Sequence, residues 1–185
     1  MARLDFKLVT RKVADCQDFD CGIDSINKYV KDSYYPSIAQ HAYAYNIIGN
    51  GKSLGYIQFL FRDVELDYFP DDISGVDPGI KANTLPAIHI RFLAIDKSYQ
   101  RNRIGTAALE TIIKRIQDLA EEWPVSMITI DARDELVEWY EQVGFKKMVK
   151  NSPGQDGITV AMYYSCIKHP EKLKEYMEEM LADMA

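Results

Sequence analysis

One stretch of the chain brings together the residue types that can hold a phosphate. The apolar run His89-Ile90-Arg91-Phe92-Leu93-Ala94-Ile95-Asp96 reads as a buried strand, and Tyr99-Gln100-Arg101-Asn102-Arg103-Ile104-Gly105-Thr106-Ala107 follows it. The second segment opens a long amphipathic helix over residues 104–121, with Ile104, Ala108, Ile112, Ile113, Ile116, Leu119 and Ala120 along one stripe. A short loop at a helix start presents backbone N–H groups that lack intrahelical acceptors, at the positive end of the macrodipole. Such a site suits a pyrophosphate. Gly105 lets the backbone approach closely, and Arg101 and Arg103 add positive charge beside it.

The remaining elements must build a sheet around that strand. Residues 4–9 alternate as a first strand. Residues 23–31 carry Ile26, Tyr29 and Val30 at helical spacing, with Gly22 or Asp24 as the cap. Pro36 is expected to close that element before a short helical turn over residues 36–41. Residues 42–48 and 53–61 are β-rich runs around Gly49-Asn50-Gly51, which predicts a hairpin. Residues 63–86 are acidic and broken by Pro70, Gly75, Pro78, Gly79 and Pro86, so they read as an irregular insertion. Residues 87–95 and 125–132 are strands, and residues 134–143 form a helix that Gly144 stops with a left-handed cap. Residues 145–149 and 158–166 flank a turn-rich stretch and should pair as a closing hairpin. A charged helix over residues 170–182 ends the chain.

Composition limits what this assembly does. The 185 residues suffice for one well-cored domain, and 47% hydrophobic content excludes a disordered chain. No apolar run approaches a membrane span, and Met1–Thr10 has no signal-peptide h-region, so neither a membrane span nor secretion is expected. Cys16, Cys21 and Cys166 are odd in number with no metal-ligand spacing; they read as reduced thiols in a cytoplasmic protein, and no metal is expected. The net charge is −6 and unevenly placed. Residues 63–80 hold six carboxylates and no cation, and residues 170–185 a balance of −3, which leaves +3 for the rest. Local sign decides the steering of an anionic ligand, whereas broad nucleic-acid binding needs many cations.

The Gln100…Gly105 segment resembles the Gln/Arg-x-x-Gly-x-Gly/Ala motif of the GNAT superfamily of acyl-CoA N-acyltransferases, with Arg103 where the first glycine usually stands. Tyr140-Glu141-Gln142-Val143-Gly144-Phe145 is similar to the family's Tyr-x-x-x-Gly-Phe signature. Phe19-Asp20-Cys21-Gly22-Ile23-Asp24-Ser25-Ile26-Asn27-Lys28-Tyr29-Val30 and the Leu85-Pro86-led strand resemble the branch that includes acetyltransferase toxins of toxin–antitoxin pairs. The resemblance implies an α/β (α+β) fold: a central twisted, mostly antiparallel mixed sheet flanked by helices, with an acyl-CoA cleft at the splayed strands. Residues 1–166 would form the acetyltransferase domain, and residues 167–185 an acidic helix packed on it or extending from it.

It also implies roles. Leu93, Ala94 and Ile95 would face the pantetheine arm of acetyl-CoA, and Gln100, Arg101, Asn102, Arg103, Ile104, Gly105 and Thr106 its pyrophosphate. Tyr140 would protonate the departing thiolate; the plainer alternative is a core residue packing with Val137 and Val143. No general base stands out. His89 on the key strand, and Glu65 and Asp67 after the hairpin, are the weak candidates, against a structural histidine and a solvated loop. Arg91 reads equally as an ion-pair member or a substrate contact. The expected reaction is acetyl transfer to a primary amine of a small molecule or peptide by direct attack in a ternary complex. The alternatives are a toxin-type enzyme acting on aminoacyl-tRNA with an antitoxin partner, and a non-catalytic CoA-binding module. A homodimer is the family's common assembly.

Overall fold

The computed structural model describes residues 4–10, 18–65, 84–148, 153–154 and 157–167, with Glu175, Glu179 and Ala182 beyond them. Those three residues are helical and exposed; the rest of the expected C-terminal helix, and residues 66–83 of the acidic insertion, lie outside the described residues. The chain divides into two compact units, Met1–Phe61 with Ile88–Asp118, and Arg62–Ala87 with Leu119–Ala185.

The first unit is built on two whole strands and on the Lys52–Phe61 and Ile88–Ile95 parts of two more, hydrogen-bonded in chain order. Strand β1 (Asp5–Leu8) pairs antiparallel with β2 (Tyr43–Gly49), and β2 with β3 (Lys52–Glu65). Asn50 and Gly51 join β2 to β3 at φ 51° and 75°, the paired left-handed conformation of the hairpin turn that Asn-Gly favours. Strand β4 (Thr84–Ile95) begins earlier than its apolar run suggests, because Leu85 and Pro86 already belong to it. One face of this sheet carries a core of Val9, Phe19, Cys21, Val30, Ala44, Tyr56, Phe92 and Ala94, with Ile23, Ile26 and Tyr29 packed on it.

Helix α1 (Asp24–Asp32) is capped neither by Gly22 nor by Asp24: Ile23 is its N-cap and makes no side-chain bond. Pro36 does not close it. The break comes at Ser33, whose hydroxyl donates to Tyr29 O, and Pro36 lies inside a second helix, α2 (Tyr34–Ile38). A proline in a first helical turn removes an N–H that would have no partner there. Helix α3 (Ile104–Leu119) buries Ala108, Leu109, Ile112, Ile113 and Ile116, while Leu119 at its end is exposed.

In the second unit β5 (Met127–Arg133) pairs antiparallel with β8 (Gly157–Ser165), which also pairs with β6 (Lys146–Lys147) and β7 (Pro153–Gly154). The expected closing hairpin is thus present as β6 on β8. Its core gathers Val64, Leu85, Ala87, Met127, Met148, Ala161 and Tyr163. The helix expected over residues 134–143 is a 3₁₀ turn, Asp134–Leu136, followed by α4 (Val137–Val143). Gly144 ends α4 at φ 104°, as a left-handed cap requires.

Candidate active site

Strand β4 stops at Ile95, and the next eight residues set the geometry of the phosphate-type loop. Asp96 O accepts the amides of Tyr99 (2.8 Å) and Gln100 (3.1 Å), which closes a tight turn. The Asp96 carboxylate accepts the Ser98 amide at 2.9 Å and the Asp20 amide at 3.2 Å. Partial burial pushes this carboxyl up, and the Ser98 and Asp20 amides, with the Ser98 hydroxyl, together hold Asp96 below the ordinary value. Asn102 Nδ2 donates to Tyr99 O and Gln100 O, bridging the loop.

Arg101 and Arg103 sit at φ 62° and 58°, in the left-handed region that suits glycine. Arg103, at the position where the family motif usually has glycine, thus takes a backbone conformation that glycine favours, with its side chain exposed. Ala107 N–H bonds to Arg103 O at 3.0 Å, so the amides ahead of it stand at the open start of α3. Arg101, Asn102 and Arg103 are exposed, and Ile104, Gly105 and Thr106 half-buried. Amides at a helix start flanked by two guanidinium groups are a chemical match for a diphosphate.

Gln100 is different in kind. Its Nε2 donates to Ile95 O and to Cys21 O, both at 2.9 Å, so the side chain ties the loop to the strand end and to the turn before α1. That turn is itself clipped shut. Asn27 accepts the Cys21 amide at 2.9 Å and donates to Asp20 Oδ1, which also accepts the Gly22 amide at 2.7 Å. Lys97 donates its amide to Asp20 O and its ammonium to the Asp20 carboxylate. The lysine, with the Gly22 and Asn27 donations, lowers Asp20 to about 2, and Asp20 in turn raises Lys97. Sequence reading missed Asp20, Asn27, Asp96 and Lys97 as parts of one structure. Their signal was Asp20…Asn27 inside the Phe-x-Cys-Gly stretch, but partners 76 and 77 positions apart are not readable from spacing.

Leu93 and Ile95 are half-buried on β4 and Ala94 is buried between them. Gly55 of β3 lies against this strand end: a Cβ there would fall 2.3 Å from Ala94 O. The Asp96 amide donates to Leu54 O at 2.9 Å, which carries the β3 contact to the last residue before the loop.

Within the second unit Tyr140 is buried on α4, its ring packed edge-on against Trp139 at 4.6 Å and Phe145 at 5.6 Å. Phe145 N–H returns to Tyr140 O at 3.1 Å around the Gly144 cap. The Tyr-x-x-x-Gly-Phe spacing therefore makes one aromatic cluster. Burial pushes the phenol well above its ordinary value, so it stays protonated.

His89 is buried in β4, Glu65 is exposed at the end of β3, and Asp67 lies outside the described residues. Arg91 is exposed, its guanidinium 4.7 Å from the centre of the Tyr29 ring. Cys21 and Cys166 are buried, free thiols; burial raises both, Cys166 to about 11, which keeps them from acting as thiolates at neutral pH. Cys16 lies outside the described residues. Among the described residues no group of three or more His, Cys, Asp or Glu could hold a metal, and no helix is long and apolar enough to cross a membrane.

The acetyltransferase (GNAT) domain family matches residues 71–165, just over half of the chain. The chain belongs to the GNAT acetyltransferases. Solved GNAT structures share its fold over most of its length. A tyrosine-to-phenylalanine mutant of KacT superposes with a TM-score of 0.73 at 18% identity, over 92% of this chain and 99% of that one. AtaT complexed with acetyl-methionyl-tRNAfMet gives 0.72 at 19% identity, over 88% and 95%. A tyrosine-to-phenylalanine mutant of the AtaT toxin, bound to the C-terminus of the antitoxin AtaR and acetyl-CoA, gives 0.67 at 18%, over 92% and 97%. No curated protein sequence matches. This GNAT chain thus has the mixed, mostly antiparallel α/β fold that its motifs imply, and the N-acetyltransferase class that goes with its family.

Proposed function

We propose that this GNAT protein transfers the acetyl group of acetyl-CoA to a primary amine, holding the diphosphate at the start of α3. The observation that carries the reading is the preset loop. Arg101 and Arg103 are held in left-handed conformations that L side chains normally avoid, and a hydrogen-bonded turn fixes the approach to them. Acetyl-CoA supplies the acetyl group as an activated thioester. The amides of Arg101, Asn102, Arg103, Ile104, Gly105 and Thr106 would bind the diphosphate, with the two guanidinium groups beside it. Leu93, Ala94 and Ile95 would orient the pantetheine arm, and Gln100 would keep that strand end joined to the loop.

Tyr140 is assigned the proton. Burial keeps the phenol in its protonated form, so it would have a proton to give to the departing thiolate. Four of the solved neighbours are themselves tyrosine-to-phenylalanine mutants, one of KacT and three of AtaT. The Tyr140→Phe variant should keep its fold and its acetyl-CoA affinity while turnover drops at least about 100-fold. Calorimetry with acetyl-CoA and single-turnover acetylation of an amine panel check both halves. Unchanged turnover would leave Tyr140 as a core aromatic only. Binding without turnover of any amine by the wild type would leave a CoA-binding module.

The acceptor is a small or peptide amine in the plainest reading. A second reading, the α-amine of an aminoacyl-tRNA, is favoured by the near full-length likeness to AtaT complexed with acetyl-methionyl-tRNAfMet. It would add an antitoxin to the partners, as AtaT has AtaR.

A further inference from the structure

We infer that the Asp20–Asn27 clip is a positioning device for the acetyl-CoA loop, and that Asn27 is its central residue. The inference rests on the acetyl-CoA reading above. Asn27 makes two side-chain bonds, accepting the Cys21 amide at 2.9 Å and donating to Asp20 Oδ1 at 3.0 Å. Together they fix the turn Asp20-Cys21-Gly22, in which Gly22 takes φ 85°. The backbone of that turn then meets the loop at three points. Asp20 N–H reaches the Asp96 carboxylate, Asp20 O receives the Lys97 amide, and Cys21 O receives Gln100 Nε2.

The three contacts fall on the loop's first turn, before the left-handed residues Arg101 and Arg103. Two L residues held in that region relax towards ordinary backbone unless their surroundings over-determine them. The clip supplies that constraint from a segment about 75 residues earlier in the chain. Phe19 anchors it from below, edge-on to Tyr56 at 5.1 Å. These bonds all run within the protein, between the turn and the loop, so the clip acts on the pre-organisation of the loop, and hence on affinity.

Two readouts test it on the full chain: amide hydrogen exchange over residues 97–106 without ligand, and acetyl-CoA affinity by calorimetry. Asn27→Ala removes the clip from the α1 side, and Gln100→Leu removes the loop's contact with Cys21 should the first variant fold poorly. Val64→Ala, in the other unit's core, serves as a control for general destabilisation. The expected result is faster loop exchange and roughly tenfold weaker acetyl-CoA binding in the clip variants, with neither change in the control. Loop exchange or affinity equal to that of the control would overturn the positioning role. A wild type that binds no acetyl-CoA would overturn the acetyl-CoA reading instead, and loop exchange would then decide the clip by itself.

Discussion

Arg103 occupies a backbone conformation in which a side chain costs about 1–2 kcal/mol, at φ 58°. The guanidinium therefore has to be worth that strain, and its place beside the helix start suggests how. Two substitutions separate shape from charge. Arg103→Gly and Arg103→Ala remove the same charge, but only glycine relieves the strain, at some cost in unfolded-state entropy. Arg103→Gly should be more stable than Arg103→Ala by several tenths to about 1 kcal/mol in urea unfolding. Both should bind acetyl-CoA more weakly than the wild type if the charge matters. Asp20 makes a second residue-level prediction. Its carboxyl is lowered to about 2 in the folded state, chiefly by Lys97, so its contribution is present above the ordinary carboxylate pKa near 4. It is lost as the pH falls through about 2. The stability gap between wild type and Asp20→Asn should hold constant from pH 5 to 8 and close between pH 4 and 2, measured by urea midpoints.

Among the elements, the end of β4 is where packing leaves least freedom. A Cβ on Gly55 would sit 2.3 Å from Ala94 O and 3.0 Å from Ile95 Cα, both backbone atoms that cannot swing aside. Gly55→Ala should push β3 off β4, cost about 1–3 kcal/mol or more, and weaken acetyl-CoA binding beyond what Val64→Ala does. Retained wild-type affinity would show that the strand end is not a ligand contact. The hairpin at Asn50-Gly51, the Gly144 cap and the α3 stripe could be read in the sequence because turn chemistry and helical period are local. The α1–α2 break could not. Pro36 signals a stop only if it falls in a helix interior, and here α1 had already ended before Ser33, which leaves Pro36 in the first turn of α2. Of the candidate site, the loop and Tyr140 were legible as motifs. Gln100 read only as part of the phosphate loop, because its actual acceptors include Cys21 O, 79 residues away.

At the scale of the whole molecule, charge bears on the acceptor. The chain is −6 overall and its two acidic blocks leave a net +3 elsewhere, so its net charge gives little general attraction for a nucleic acid. An acceptor tRNA held by about three phosphate contacts should lose roughly 40-fold in affinity between 50 and 200 mM salt, and uncharged bulk tRNA should bind no better than about 100 μM. A small amine meets no phosphate-binding surface, so its KM should stay nearly flat across the same range. Measuring KM for one aminoacyl-tRNA and for the matching amino-acid amide at both salt concentrations separates the two acceptors. A steep rise for the charged tRNA, together with a lower KM than the amide at 50 mM, is the outcome expected of a tRNA-acting enzyme. Equal, salt-insensitive KM values would mean that only the amine is recognised, and the small-amine acceptor would stand.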